Sequence, residues 1–238
     1  MGQKTSQKVS INGRDGNFDA YLASPAAEPD GARPGVVVIQ EIFGVNHVVR
    51  GVADWLAGLG YYALAPDLFW RLEPGVELTD HTDAEWSRAL DLMNSFDPDA
   101  GVEDIQSAID HLRVTSGVSD KVGAVGYCLG GLLAFLTATR TDADAAVGYY
   151  GVNIHERLDE AESIRKPLML HIAGEDSFVP KNAQSRILAG LKGNPMVTTH
   201  VYEGVNHAFA RPGGKNYNQA AADLANSRTA EFFAKHLG

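Results

Sequence analysis

The chain has 238 residues, a formal net charge of −10, and 45% hydrophobic against 21% charged residues, as expected of a globular protein long enough to bury a substantial core. An acidic chain without a Lys/Arg block is not expected to meet nucleic acid or an anionic membrane surface. Its one Cys forms no internal disulfide, so nothing points to an oxidising compartment, and no apolar run approaches the roughly 20 residues of a membrane span.

The N-terminal stretch from Met1 to Lys8 lacks the apolar centre of a signal peptide, and the expected location is cytoplasmic. A loose myristoylation pattern at Gly2 and Ser6 is read as chance, because so short a pattern recurs freely. Gln7–Ile11 and Phe18–Leu22 flank Gly13-Arg14-Asp15-Gly16 and predict an opening β-hairpin. A polar connection from Pro25 to Pro34 leads to Gly35–Gln40, an apolar strand with little alternation, as in a parallel strand covered on both faces. Asn46 is the expected cap of a helix reaching Leu59, with Gly60 stopping it. Tyr61–Pro66 is the next strand, Asp67 to Asp80 a long loop, and Asp83–Ser95 and Asp99–Ser116 two helices. Val122–Val125 opens the central strand. Ala145–Tyr150, Pro167–Ile172 and Thr198–Tyr202 follow as strands, with helices over Asn182–Leu191 and Asn218–His236. Strands alternating with helices predict one α/β domain over residues 1–238, with a mostly parallel sheet and helices on both faces.

Gly126-Tyr127-Cys128-Leu129-Gly130-Gly131 sits between the apolar runs Val122–Val125 and Leu132–Leu136. Strand, Gly-flanked turn and helix are the context of a nucleophile elbow, here with Cys where Ser is usual. Glycines tolerate the close backbone approach of such a turn, and a helix N-terminus favours a thiolate. The alternative for Cys128 is an ordinary buried thiol. Asp176 and His207 also lie just past strand ends, where sites form in open α/β sheets. Taken alone, Asp176 reads as a loop or helix-capping Asp, the commoner role for that residue, and His207 as a surface or core His. Together, the order Cys, Asp, His is that of the α/β-hydrolases: His moves the proton, and Asp fixes its tautomer.

With Gln40-Glu41-Ile42-Phe43-Gly44, Ala65-Pro66-Asp67-Leu68, the elbow, Gly174-Glu175-Asp176 and His207-Ala208-Phe209, the chain resembles the dienelactone hydrolase family over nearly its whole length. The resemblance implies the α/β-hydrolase fold and a hydrolase of a small ester or lactone (carboxymethylenebutenolide-like). In it, Cys128 is the nucleophile, His207 the base, Asp176 the orienting acid and Glu41 an extra carboxylate. That carboxylate is expected to hold a neutral resting thiol and to accept its proton when substrate binds. Oxyanion donors are expected at the backbone N–H groups of Leu129 and Ile42. Arg211 matches an arginine that binds the substrate carboxylate, and Phe43 belongs to the same expected substrate site. Where the family carries a second such arginine, this chain has Trp86, with Arg88 two positions on and Arg71 nearby. Trp86 is either an apolar wall for a less charged ester or simple packing of its helix. The chemistry asks for no cofactor, no metal and no obligatory protein partner. A broader carboxylesterase or thioesterase is the nearest alternative; a non-catalytic ligand-binding protein on a hydrolase fold is the alternative of another class.

Overall fold

The structure, a computed structural model, describes residues 5–26 and 31–238. Gly2 of the N-terminal pattern and residues 27–30 of the predicted connection lie outside them. The described residues form an α/β fold of eight strands and six α-helices. They group into two compact units, Met1–Ala124 and Val125–Gly238.

In the first unit, β1 (Thr5–Gly13) and β2 (Gly16–Ser24) form the antiparallel hairpin around Arg14-Asp15, with Ile11 opposite Phe18. With β3 (Arg33–Ile39), β4 (Tyr62–Pro66) and β5 (Val118–Tyr127) the strand order is β1-β2-β4-β3-β5. β2 pairs antiparallel and β3 parallel with β4. Val36, Val37, Val38 and Ile39 are all fully buried, the reason for the missing alternation. Helix α1 (His47–Gly58) starts at Asn46, whose Oδ1 accepts from the Val48 and Val49 N–H groups at 3.1 and 3.2 Å. Helix α2 (Asp83–Ser95) starts at Thr82, whose Oγ1 accepts from the Glu85 N–H at 3.2 Å and donates to the Glu85 carboxylate at 2.8 Å. Helix α3 (Pro98–Arg113) is capped by Asp97 and ends three residues before the predicted Ser116. The turn into β5 takes those residues and needs Gly117 at φ 86°.

The predicted loop from Asp67 to Asp80 is pinned rather than loose. Asp67 is buried and accepts from the Phe69 and Gly75 N–H groups at 3.1 and 2.7 Å. Leu78 N–H donates to Phe43 O at 2.9 Å, and Asn46 Nδ2 donates to Leu78 O at 2.9 Å. Gly44, at φ 75°, lets the two segments touch: a Cβ there would stand 1.9 Å from Val76 O.

In the second unit β5 continues into a group ordered β5-β6-β7-β8, with β6 (Ala145–Tyr149), β7 (Leu168–Ala173) and β8 (Val197–Tyr202) running parallel. Helix α4 (Leu129–Arg140) is buried from Leu129 to Ala138. Short 3₁₀ segments at Ile154–Glu156 and Leu158–Ser163 fill a stretch without a sequence signal. Helices α5 (Lys181–Leu191) and α6 (Gln219–Leu237) complete the unit.

A buried polar chain stitches α6 to three strands. Arg228 Nη1 donates to Tyr202 Oη at 3.1 Å, which meets His171 Nδ1 at 2.7 Å. His171 Nε2 meets Thr229 Oγ1 at 3.0 Å, Thr229 meets Tyr149 Oη at 2.6 Å, and Tyr149 Oη donates to Asn226 Oδ1 at 3.0 Å. One direction of donation satisfies the whole chain: Arg228 to Tyr202 to His171, then through Nε2–H to Thr229, Tyr149 and Asn226. It requires a neutral His171. Burial, with His200 and Arg228 adding to it, holds that imidazole well below its ordinary value.

Candidate active site

Cys128 caps α4 at φ 56°, a left-handed value rare for a residue with a side chain. Its N–H donates to Tyr149 O at 3.0 Å, and its carbonyl accepts from Gly131, Leu132 and Val152 at 2.9, 3.3 and 3.3 Å. The flanking glycines make this turn possible. A Cβ on Gly126 would lie 1.9 Å from Gly130 O, and one on Gly131 would lie 2.6 Å from Tyr149 O. The sulfur thus sits buried at a helix N-terminus, as the elbow motif predicts.

Asp176 follows β7 and is buried. Its Oδ1 accepts from the Phe178 and Val179 N–H groups at 2.8 and 3.1 Å. Those bonds fix the carboxylate, which receives His207 Nδ1 at 3.1 Å on Oδ1 and 3.0 Å on Oδ2. His207, in the loop after β8, is buried and also hydrogen-bonds the Cys128 sulfur. Nδ1 belongs to Asp176, so Nε2 is the nitrogen that faces the sulfur. Burial pulls the His207 imidazole down, but the Cys128 sulfur and the Asp176 carboxylate together outweigh it and push the group up to about 10.

The His207 ring is held between two aromatics that the sequence reading did not single out. Tyr150 meets it at 5.0 Å and Phe178 at 4.9 Å between centroids, both edge-on. Tyr150 stands at φ 38° just past β6, and its place at a strand end was the available signal. Asn206 was also missed. Its Oδ1 accepts from Ser177 N–H at 2.8 Å and from His207 N–H at 2.7 Å, tying the Asp176 and His207 loops together. Asn216 Nδ2 closes on His207 O at 2.9 Å. Arg211 is buried in this same loop, and Leu129 is the first residue of α4.

The remaining predicted residues lie in the first unit. Glu41, Ile42 and Phe43 follow β3 directly and are buried. Trp86, on α2, is half-buried against Phe43 at 5.6 Å between ring centroids. Arg88 is ion-paired with Glu73 at the surface. Arg71 is held by Asp104 and Asp15, with Trp70 Nε1 sharing the buried Asp104. Among the described residues no helix is long and apolar enough to cross a membrane.

The model of the "Dienelactone hydrolase family" matches residues 18–237. A protein of Azospirillum brasilense named "Putative carboxymethylenebutenolidase" is 51% identical over 95% of this chain and 96% of its own. The carboxymethylenebutenolidase of Pseudomonas putida is 41% identical over 96% of each. A solved structure from Klebsiella pneumoniae subsp. pneumoniae MGH 78578, described as a "Putative Dienelactone Hydrolase", superposes with a TM-score of 0.88 at 25% identity, covering 98% of this chain and 100% of that one. A match over nearly the whole chain, on an α/β fold with Cys, His and Asp hydrogen-bonded at strand ends, leads to one conclusion: the chain belongs to the dienelactone hydrolase family and is an ester hydrolase of the α/β-hydrolase superfamily.

Proposed function

We propose that the chain hydrolyses a small ester or lactone of the carboxymethylenebutenolide type through an acyl-Cys128 intermediate. The observation that carries this reading is the hydrogen-bonded line Asp176–His207–Cys128 inside one compact unit. The thiolate attacks the carbonyl carbon, and the carbonyl oxygen becomes an oxyanion. The Leu129 N–H, with no carbonyl one turn earlier in its helix, is one proposed donor to it, and the Ile42 N–H is the second. Collapse of the intermediate breaks the acyl–oxygen bond, and His207 Nε2–H gives its proton to the leaving alkoxide. In a lactone that alkoxide stays attached as the enol or alcohol end of the opened ring. Water then loses a proton to His207 and attacks the carbonyl carbon of the thioester; the carbon–sulfur bond breaks, releasing the carboxylic acid and the thiolate. Asp176 keeps Nδ1–H oriented and favours the imidazolium.

Arg211, buried beside the His207 loop, is proposed to bind a substrate carboxylate through its bidentate fork. Glu41 and Phe43 are assigned on the sequence motif and on their burial in the first unit. Glu41 is proposed to exchange the thiol proton, and Phe43, with Trp86 against it, to contact substrate. One observation favours a second reading, a broader carboxylesterase. Arg88 and Arg71 are both engaged with carboxylates, so neither is offered as a second substrate-carboxylate arginine.

The test is a panel of dienelactone, aryl esters and thioesters against wild type and Cys128→Ala, with mass spectrometry of the quenched enzyme. Loss of a triad member is expected to cost on the order of 10³-fold or more. A transient acyl adduct on Cys128 is expected with wild type. Full turnover after complete alkylation of Cys128 would refute the mechanism.

A further inference from the structure

A groove of about 550 Å³ opens in the second unit between the starts of β7 and β8 and the last turns of α6. None of its lining residues belongs to the candidate active site. Its charged lining is two cations, Arg228 and Lys235, against the single carboxylate of Glu231. Burial, with those two cations adding to it, holds His200 and His236 below their ordinary values and so neutral at about pH 7. A net positive lining is unusual on a chain of net charge −10. Glu231 does not neutralise Arg228, although the two are one helical turn apart; it accepts a hydrogen bond from Ser227 at 3.2 Å.

Arg228 is the decisive residue. It is half-buried, yet among the described residues it has no carboxylate partner. Its one hydrogen bond goes to the neutral Tyr202 hydroxyl at 3.1 Å, and its guanidinium lies 5.4 Å from the Tyr202 ring centroid. A guanidinium removed in part from water ordinarily takes a counter-charge. The Tyr202 bond fixes one nitrogen and leaves donors of the planar fork for an oxyanion. Beside it, Met196, Phe232 and Met169 supply apolar wall. The volume is that of a small-molecule site.

We infer that this groove binds a small organic carboxylate, its carboxyl group on Arg228 and its apolar body against Phe232 and Met196. The apolar wall favours an organic carboxylate over free phosphate, which would leave it uncovered.

Benzoate is the probe, titrated calorimetrically into the full chain carrying Arg211→Gln, so that binding at the candidate active site is disabled. One benzoate site is expected to remain. Adding Arg228→Gln should weaken it about ten- to a hundred-fold, the loss of one charge-assisted hydrogen-bonded contact. Lys235 is exposed and outside the buried polar chain, so Lys235→Glu tests the groove without disturbing the fold and should weaken benzoate by about an order of magnitude. Inorganic phosphate at matched ionic strength should bind at least about ten-fold more weakly than benzoate. No benzoate binding in Arg211→Gln, affinity unchanged by Lys235→Glu, or phosphate bound as tightly as benzoate would each overturn the inference.

Discussion

His171 offers a stability measurement whose sign and size follow from its surroundings. The imidazole is buried, bonds Tyr202 through Nδ1 and Thr229 through Nε2, and stays neutral because burial, His200 and Arg228 all oppose its charge. In the unfolded chain a histidine takes a proton at about 6.5. Below that pH the unfolded state binds a proton that the native state refuses, so stability is full above about 6.5 and lost as pH falls. With the folded group neutral throughout, the unfolded state gains roughly 0.2 kcal/mol at about pH 7 and about 2 kcal/mol at about pH 5 from this one site. His171→Gln removes the titration. It also disturbs two buried hydrogen bonds, a cost on the order of 1–3 kcal/mol. The variant should therefore be clearly less stable than wild type at about pH 7. By about pH 5 the gap should shrink by roughly 2 kcal/mol. Urea unfolding of both proteins at the two pH values measures it, and the other ionising groups largely cancel in the comparison. A deficit that is the same at both pH values would refute a neutral buried His171 and the one-way donor chain built on it.

Three more outcomes are expected. In Cys128→Ser, burial of His207 is opposed by Asp176 without the sulfur, so its titration midpoint should fall from about 10 by more than about one pH unit, read from imidazole NMR signals; an unchanged midpoint would show that the sulfur does not hold the proton there. Gly44→Ala places a Cβ 1.9 Å from Val76 O at a φ of 75° and should destabilise by more than about 2 kcal/mol, seen as a fall of several degrees in Tm; a wild-type Tm would mean that the contact between the two segments is dispensable. Arg211→Ala should raise KM for acidic lactones by roughly ten-fold or more relative to neutral aryl esters, and equal effects on both would show that Arg211 does not read the substrate charge.

Most strands and helices were legible because their cause is local. Asn46 and the uninterrupted run Val36–Ile39 each carry their signal within a few residues. The placement of Cys128, Asp176 and His207 was legible for a related reason: each follows a recognisable strand. What stayed hidden depends on contacts distant in sequence. Asn206 bridges two loops 29 residues apart through Ser177, and nothing local separates it from other loop asparagines. The loop after Asp67 reads as open chain, yet Asp67 closes it on Gly75 and Phe69. Arg88 and Arg71 illustrate the same limit for function. Spacing offered both for a substrate, and only the fold shows Glu73, Asp104 and Asp15 beside them.

The buried polar chain and the strained backbone around the site belong to one construction. Cys128, Tyr150 and Ala208 have φ values of 56°, 38° and 62°, a conformation that costs a side-chain-bearing residue on the order of 1–3 kcal/mol. Such strain persists only where neighbouring bonds over-determine it. The first two residues donate their N–H groups to Tyr149 O and His171 O, at 3.0 and 2.7 Å, and Gly174 N–H, at the start of the Asp176 loop, donates to Tyr202 O at 2.7 Å. Tyr149, His171 and Tyr202 are also the three strand residues whose side chains α6 engages through Thr229, Asn226 and Arg228. Each thus anchors a loop through its carbonyl and a helix through its side chain. A slip of one strand against α6 would break a side-chain bond in a dry interior, where an unmet polar group is costly. The position of the sulfur relative to His207 is therefore set on β6, β7 and β8, by residues that touch neither of them with their side chains' polar atoms.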